Sequence, residues 1–449
     1  MPASPYRPTP LEISTMPPGL SYLIANEAAE RFSFYGMRAI LVVFMTDYLM
    51  SHDGSLATMG DAEARSYFHL FTSAVYFLPA IGALIADVFW GKYKTIITLS
   101  LVYCLGHGVL ALDHTRMGLA LGLTLIAIGS GGIKPCVSAH LGDQFGAMNR
   151  PLMGKAFGWF YFAINFGAFL STIITPWLLN HYGPHAAFGA PGFLMLLATF
   201  FFWVGRLEYA HIPPSGMDVV QELFSHNGIR TILKLSGVYL FVAFFWALYD
   251  QTGSAWVLQA KHMDRHWMGI EWLPSQIQAI NPILIMLFIP LFSYVIYPAI
   301  HRIFSLTALR KISIGFFVTV LAFALSAEIE RHISAGAHPN IGWQLLAFAI
   351  ITGAEVMVSI TCLEFSYTQA PKTLKSFVMA LFLLSVSLGN AFTSLVNYWI
   401  QNDDGTTWLS GPDYYWFFAL IMLIVAIIFL FVAHAYQDKT PLPQANTIP

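Results

Sequence analysis

The chain has 449 residues, 57% of them hydrophobic and only 10% charged, with a mean hydropathy of +0.62. Soluble domains carry about 25% charged residues, so a soluble globular protein is excluded and a polytopic integral membrane protein is indicated. The net charge of −2 offers no basic field for nucleic acid.

The N-terminal stretch MPASPYRPTPLEISTMPPG is proline-rich and lacks an apolar core, so it is not a signal peptide. A membrane span needs about 20 mostly apolar residues. Twelve segments qualify: about 20–50, 64–89, 94–112, 117–140, 153–180, 188–207, 228–260, 272–300, 306–328, 341–370, 374–401 and 412–436. The longest polar interruption, 208–227, divides the chain into halves 1–207 and 228–436, followed by a polar tail 437–449. Lys92, Lys94, Arg150, Lys155, Arg206, Arg310 and Lys311 fall on one side of the membrane. Few bases (Arg65, Arg116, Lys261, Arg265, Arg331) fall on the other, which predicts both termini in the cytoplasm. Cys104, Cys136 and Cys362 lie in apolar runs and read as free thiols.

Seven charged residues lie inside the apolar segments: Glu27, Glu30, Arg31, Arg38, Lys134, Asp250 and Glu355. A charge at the bilayer centre costs roughly 2.5–3.5 kcal/mol, so such residues are rare and functional by default. Four acids and three bases make a set that becomes neutral when one carboxylate takes a proton. The pattern suggests a membrane transporter moving a charged solute together with protons.

Along the first span, Glu27, Arg31, Tyr35 and Arg38 share one helical face with Glu30 at its flank. An arginine beside two carboxylates can bind one internally; if a substrate carboxylate takes the arginine, a glutamate is freed to hold a proton. The competing reading is a structural ion-pair network that only ties helices together. On the second span His69, Ser73 and Tyr76 form a stripe. A membrane histidine is either a hydrogen-bonded packing group or a proton carrier. Lys134 follows a glycine-rich stretch that lets helices approach closely. Trp246 and Asp250 share a face, as do Glu355 and Ser359. Tyr161, Asn165 and Asn281 read either as helix–helix glue or as site residues. No metal cluster, nucleotide loop or nucleophile triad is evident, so neither an enzyme nor a cofactor is expected.

Gly82-Ala-Leu-Ile-Ala-Asp87-Val-Phe-Trp-Gly91-Lys92-Tyr-Lys94 resembles the cytoplasmic loop signature of the major facilitator superfamily. Further stretches resemble the proton-dependent oligopeptide transporter family: Glu27-x-x-Glu30-Arg31-Phe32-Ser33-Phe34-Tyr35-Gly36, the run Gly129 to Phe145 around Lys134, Phe160-Tyr161-x-x-Ile164-Asn165-x-Gly167, and Phe245-Trp246 through Asp250 to Ser254. Asn281-Pro282, Glu355-x-x-x-Ser359 and Glu364 through Pro371 extend it, in order, over nearly the whole chain. The Glu364–Pro371 and Gly82–Asp87 stretches look closer to the family's animal members, although only about ten residues separate spans nine and ten where those proteins carry a large insert.

The resemblance implies an all-α membrane fold: twelve helices in two six-helix bundles of inverted repeats, with a site between them near the midplane. It implies a proton-coupled symporter importing di- and tripeptides by alternating access, from the cell membrane, with no cofactor beyond the proton. Peptide-like drugs are further expected ligands; no obligate protein partner is expected. Proton coupling is expected from Glu27, Glu30, Arg31, His69 and Asp250. Arg31 and Lys134 would attract the peptide carboxylate, and Glu355 its ammonium with Asn165 and Asn281. Tyr35, Tyr76, Tyr161, Trp246, Ser359 and Phe382 would line side-chain pockets. Two pairs are expected to gate, Arg38–Asp250 outside and Lys134–Glu355 inside, with Asp87 at the cytoplasmic loop. Departures from the pattern are Phe34 for a common Tyr, Ala168 for Ser, Phe382 for Trp and Asp250 for Glu; they bear on substrate preference. A uniporter or exchanger for another solute, such as nitrate or an amino-acid conjugate, fits the same fold, and a channel would be told apart by turnover that does not saturate with peptide.

Overall fold

Backbone without water must satisfy its own polar groups, and a helix does so within one segment. The computed structural model describes residues 6–217, 221, 224–369, 375–402 and 405–435. The tail 437–449, part of the 208–227 linker and Ala370-Pro371 of the Glu364–Pro371 motif lie outside these. In chain order the helices are α1 Leu20–Asp47, α2 Asp61–Ile85, α3 Lys92–Leu112, α4 Arg116–Gly142 and α5 Met153–Val204, then α6 His226–Tyr249 and α7 Ala255–Ala260. They continue as α8 Ile280–Leu291, α9 Tyr297–His301, α10 Ala308–Ser334, α11 Gly342–Glu355, α12 Thr361–Gln369, α13 Lys375–Trp399 and α14 Pro412–Ala435. A small antiparallel hairpin pairs β1 His266–Trp267 with β2 Ile270–Glu271. Its turn residues Met268 and Gly269 both have positive φ, the geometry of a tight two-residue hairpin loop.

Among the described residues ten helical stretches are long and apolar enough to cross a membrane. α1 is not one of them, because Glu27, Glu30, Arg31 and Arg38 interrupt its apolar run. The separate spans expected at 153–180 and 188–207 form one run, broken in dihedral terms only at Gly183 (φ 76°). A left-handed glycine followed by Pro184 ends one helix and starts the next without any intervening loop. The expected span 228–260 breaks at Asp250, where a 3-10 turn Asp250–Gly253 separates α6 from α7. The span expected at 341–370 is α11 joined to α12 through a π turn, Val356–Ile360. Such turns re-aim side chains and gather at functional sites; this one follows Glu355 directly and carries Ser359. All three cysteines are free.

Two large buried apolar clusters form the interior, with a small third one of Ile285, Phe292, Val356 and Met357. One is built from residues between Leu20 and Tyr209, joined by Val257 and Leu258. The other runs from Leu235 to Phe429 and takes in Ala62. Glycines permit the closest helix approaches. A Cβ on Gly82 would sit 2.4 Å from the carbonyl oxygen of Gly131, drawing α2 onto α4. A Cβ on Gly389 would lie 2.2 Å from the carbonyl of Ala243, drawing α13 onto α6. The two halves are stitched together at one end, the end of α1 away from Leu20, here called distal. Lys261 Nζ bonds Asp47 at 2.7 and 2.8 Å, and Gln276 Nε2 donates to the Ile173 carbonyl at 2.9 Å.

Candidate functional site

On α1 the one-turn spacing places the Arg31 Nε 2.7 Å from Glu27 Oε1, and the neighbouring Glu30 brings its Oε2 to 2.9 Å. Both acids are essentially sealed, at 2% and 0% exposure. Gly167 of α5 explains the sealing: a Cβ there would lie 2.5 Å from the Ala28 carbonyl and 3.3 Å from Arg31 Cβ. The bare α5 backbone therefore covers the cluster. Glu27 accepts a hydrogen bond from Arg31, whereas neither Glu30 oxygen receives one, so Glu30 is held by charge alone.

One turn beyond Tyr35, Arg38 forms a buried ion pair with Asp250, which caps α6 from the other half. Arg38 also lies over the Phe68 ring, 5.3 Å from its centroid. The other Asp250 oxygen accepts from Asn390 Nδ2 at 2.6 Å. Asn390 Oδ1 lies 2.7 Å from His69 Nδ1, and His69 Nε2 lies 2.8 Å from Ser254 Oγ. Because the Asn390 nitrogen donates to Asp250, its oxygen faces the histidine and can only accept. The network thus assigns the neutral ring its proton on Nδ1, with Ser254 donating to Nε2. The imidazolium keeps both contacts by donating from both nitrogens.

This chain extends into a polar seam between α2 and α13. Ser66, His69 and Ser73 meet Ser394, Asn390 and Ser387 in antiparallel order. At its distal end Arg65 donates to Asn397 Oδ1 at 2.8 Å and stacks over Tyr414, 4.2 Å from the ring centroid.

Below the Arg38–Asp250 pair lies a cavity of about 280 Å³ between the halves, near the lower end of the roughly 300–1,000 Å³ usual for ligand sites. Of the expected site residues, Tyr35, Tyr76, Tyr161, Asn165, Trp246, Asn281, Glu355 and Ser359 line it, with Arg38 and Asp250 at its distal wall. Asn281 Nδ2 donates to Glu355 Oε2 at 2.9 Å and to Thr352 Oγ1 at 3.0 Å, so α8 orients the carboxylate of α11. The Tyr249 hydroxyl also bonds Glu355. Asn165 spends its amide on the Tyr161 carbonyl, 2.9 Å away on its own helix. Phe382 stands apart from the cavity wall, behind Trp246 with ring centroids 6.1 Å apart. Arg31 and Lys134 likewise lie outside the lining set.

The expected Lys134–Glu355 pair is not made in this conformation. Glu355 is held by Asn281, while Lys134 Nζ rests on the Phe34 and Tyr76 rings, 3.8 and 4.3 Å from their centroids. At the opposite end of α2, the Asp87 carbonyl accepts from the amides of Ser215 and Gly216. The charge pair there joins Lys92 to Asp143 at 2.7 Å. Among the described residues no group of three His, Cys, Asp or Glu side chains could hold a metal ion.

Sequence reasoning missed Asn390, Ser254, Tyr249 and Thr352. A signal existed for the first: Ser387, Asn390, Ser394 and Asn397 recur at helical spacing on an otherwise apolar segment, mirroring the Ser66–His69–Ser73 stripe.

Apolar helices in two halves, joined at one end over a buried charged cavity, define a multi-pass α-helical membrane protein. The model of the POT family matches residues 93–236 and 224–417. The crystal structure of the POT family transporter PepTSo is 36% identical with a TM-score of 0.87, covering 95% of this chain and 99% of that one. An auto-inhibited POT family peptide transporter is 33% identical with a TM-score of 0.85, covering 96% and 99%. Solute carrier family 15 member 2 of Oryctolagus cuniculus is 36% identical over 414 residues, 80% of this chain and 56% of that protein. Peptide transporter family 1 of Drosophila melanogaster is 37% identical over 369 residues, 72% of this chain and 49% of that protein. The chain therefore belongs to the POT family, and it spans about half the length of the curated relatives it matches.

Proposed function

We propose that the chain is a proton-coupled symporter that imports di- and tripeptides, and peptide-like drugs, by alternating access. One observation carries the reading. One inter-half cavity has the oriented Glu355 carboxylate in its lining and, just outside that lining, the Arg31 and Lys134 cations beside two sealed glutamates. That is a dipolar receptor for a zwitterion. The ammonium of the peptide meets Glu355 and Asn281, and its carboxylate draws on Arg31 and Lys134. Competition for Arg31 loosens Glu27 or Glu30, which then carries the proton. The names of the relatives, peptide transporters among them, support the substrate class.

The distal end is the outside in this reading, both termini are cytoplasmic, and the membrane is the plasma membrane. The Arg38–Asp250 pair and the α2–α13 seam are then the closed outer gate, and the cavity opens inward. Lys134–Glu355 and Asp87 serve the inner gate. The architecture is twelve helices in bundles 1–207 and 228–436, joined by the 208–227 linker. The stretch Arg150–Leu207, 58 residues long, would measure about 87 Å as one helix at 1.5 Å per residue, against a hydrocarbon core of about 30 Å. It therefore counts as two passes meeting at Gly183, and α1 completes the twelve. Each bundle consists of inverted three-helix repeats, and no obligate protein partner is required.

The test is uptake of a labelled dipeptide into proteoliposomes with and without an inward proton gradient. Accumulation only with the gradient, competed by unlabelled tripeptide, is expected. Gradient-independent exchange, or uptake competed by nitrate but not by peptide, overturns the reading.

A further inference from the structure

Among the described residues, Lys134 is the cation of the site that no carboxylate holds. It lies on α4 between the close-packed Gly131-Gly132 and Pro135. Its Nζ is buried without a hydrogen-bond partner and, among the described residues, forms no ion pair. Two aromatic faces take their place. Phe34 of α1 is fully buried and presents its ring 3.8 Å from the ammonium. Tyr76 of α2 presents its ring at 4.3 Å. The ring quadrupole attracts a cation, most strongly where water is excluded. Phe34 is itself fixed edge-on by Tyr35, with centroids 5.4 Å apart. The charges facing the ammonium are Glu27, Glu30 and Asp250, which attract it, and Arg31 and Arg38, which repel it. Against these opposed charges, the two rings are the groups in direct contact with the ammonium, at 3.8 and 4.3 Å.

We propose that Phe34 and Tyr76 form an aromatic berth that holds the Lys134 ammonium while the end near the termini is open, and that Lys134 leaves it for Glu355 when that end closes. The proposal rests on the reading of Lys134–Glu355 as the inner gate. Both berth helices belong to the same half as α4, so the lysine exchanges a contact within one half for a contact across the two. Tyr76 is at once half of the berth and part of the cavity wall, so a peptide that displaces its ring weakens the berth and releases the lysine. Phe34, which has no hydroxyl to act as an alternative acceptor, is a positioning residue acting through Lys134.

The test measures the distance between spin labels at the exposed Lys155 and Arg302 positions, one in each half near the termini, in the full chain in liposomes without peptide. Phe34→Leu and Phe34→Met remove the ring and keep the site apolar; Phe34→Tyr restores a face. Loss of one cation–π contact shifts the equilibrium by about 2- to 30-fold, so either apolar variant is expected to raise the closed-to-open ratio by that factor. Phe34→Tyr is expected to stay within about twofold of the parent, and Phe34→Leu in the Lys134→Ala background to add nothing. An equal shift in the Lys134→Ala background, or no shift in both apolar variants, overturns the berth. Glu355→Gln reads the gate by itself. If it leaves the distances unchanged, the gate reading fails and the berth loses its destination; if it acts while both Phe34 variants do not, only the berth falls.

Discussion

His69 and Asp250 belong to different halves of the chain and are joined by one intervening side chain, Asn390, at 2.7 Å from the imidazole and 2.6 Å from the carboxylate. The amide fixes which ring nitrogen carries the proton and shares Asp250 with Arg38. A change of charge at the histidine is therefore felt at the inter-half ion pair through two hydrogen bonds. The proposed outer proton switch would act along these two hydrogen bonds.

Asn390→Leu keeps the volume and cuts both links. Removing one partner of a buried hydrogen bond costs about 1–3 kcal/mol, so the outside-closed state is expected to lose that much relative to the open one. The pH profile of dipeptide uptake should shift, and His69→Gln should then produce no further shift. An unchanged profile in Asn390→Leu would mean that proton traffic bypasses the amide.

Glu27→Gln and Glu30→Gln are expected to abolish gradient-driven accumulation while sparing part of peptide counterflow. Arg31→Lys should reduce both, because a point charge on a flexible stem does not reproduce a guanidinium set between two carboxylates. Accumulation and counterflow measured in the same vesicles separate the two effects. Normal accumulation by both glutamine variants would assign the cluster to helix packing.

Arg65→Ala removes the hydrogen bond to Asn397 and the stacking on Tyr414, contacts that tie α2 to α13 and α14. Together these contribute about 1–3 kcal/mol. The outward-open population should rise by roughly 5- to 150-fold at about 1.4 kcal/mol per tenfold. An impermeant maleimide reacting with a cysteine placed at Ser387, on the α2–α13 seam, reads this directly; Arg65→Lys should fall between. No gain in labelling would show that the seam stays shut without Arg65.

Gly389→Ala forces a methyl to within 2.2 Å of the Ala243 carbonyl and 2.8 Å of the Ala247 nitrogen. Backbone cannot swing aside as a flexible side chain does, so a loss of about 1–3 kcal/mol is expected, read as a lower unfolding temperature in detergent. Gly154→Ala meets nothing within 4 Å and gains helix propensity of up to about 1 kcal/mol. Its melting temperature should hold or rise. Equal behaviour of the two glycines would refute the close approach of α13 to α6.

Much of this protein follows from its sequence alone. Apolar runs interrupted by seven charges mark a membrane chain with a buried ionic site, because hydrocarbon tolerates such residues only for a reason. Helical spacing put Glu27, Arg31, Tyr35 and Arg38 on one face, and His69 with Ser73 and Tyr76 on another, because the period of a helix is local. Periodicity does not say which helix stands opposite. That Asn390 rather than another polar residue bridges His69 to Asp250, and that Asn281 and Tyr249 hold Glu355, depends on packing between segments far apart in the chain. The same holds for Lys134. With 15% of the chain aromatic, nothing local marks Phe34 and Tyr76 as its partners, and the expected partner was Glu355 instead. A carrier has at least two packings with different inter-half contacts, so a sequence can name the charged residues while only the tertiary arrangement of one state decides which of them are paired in it.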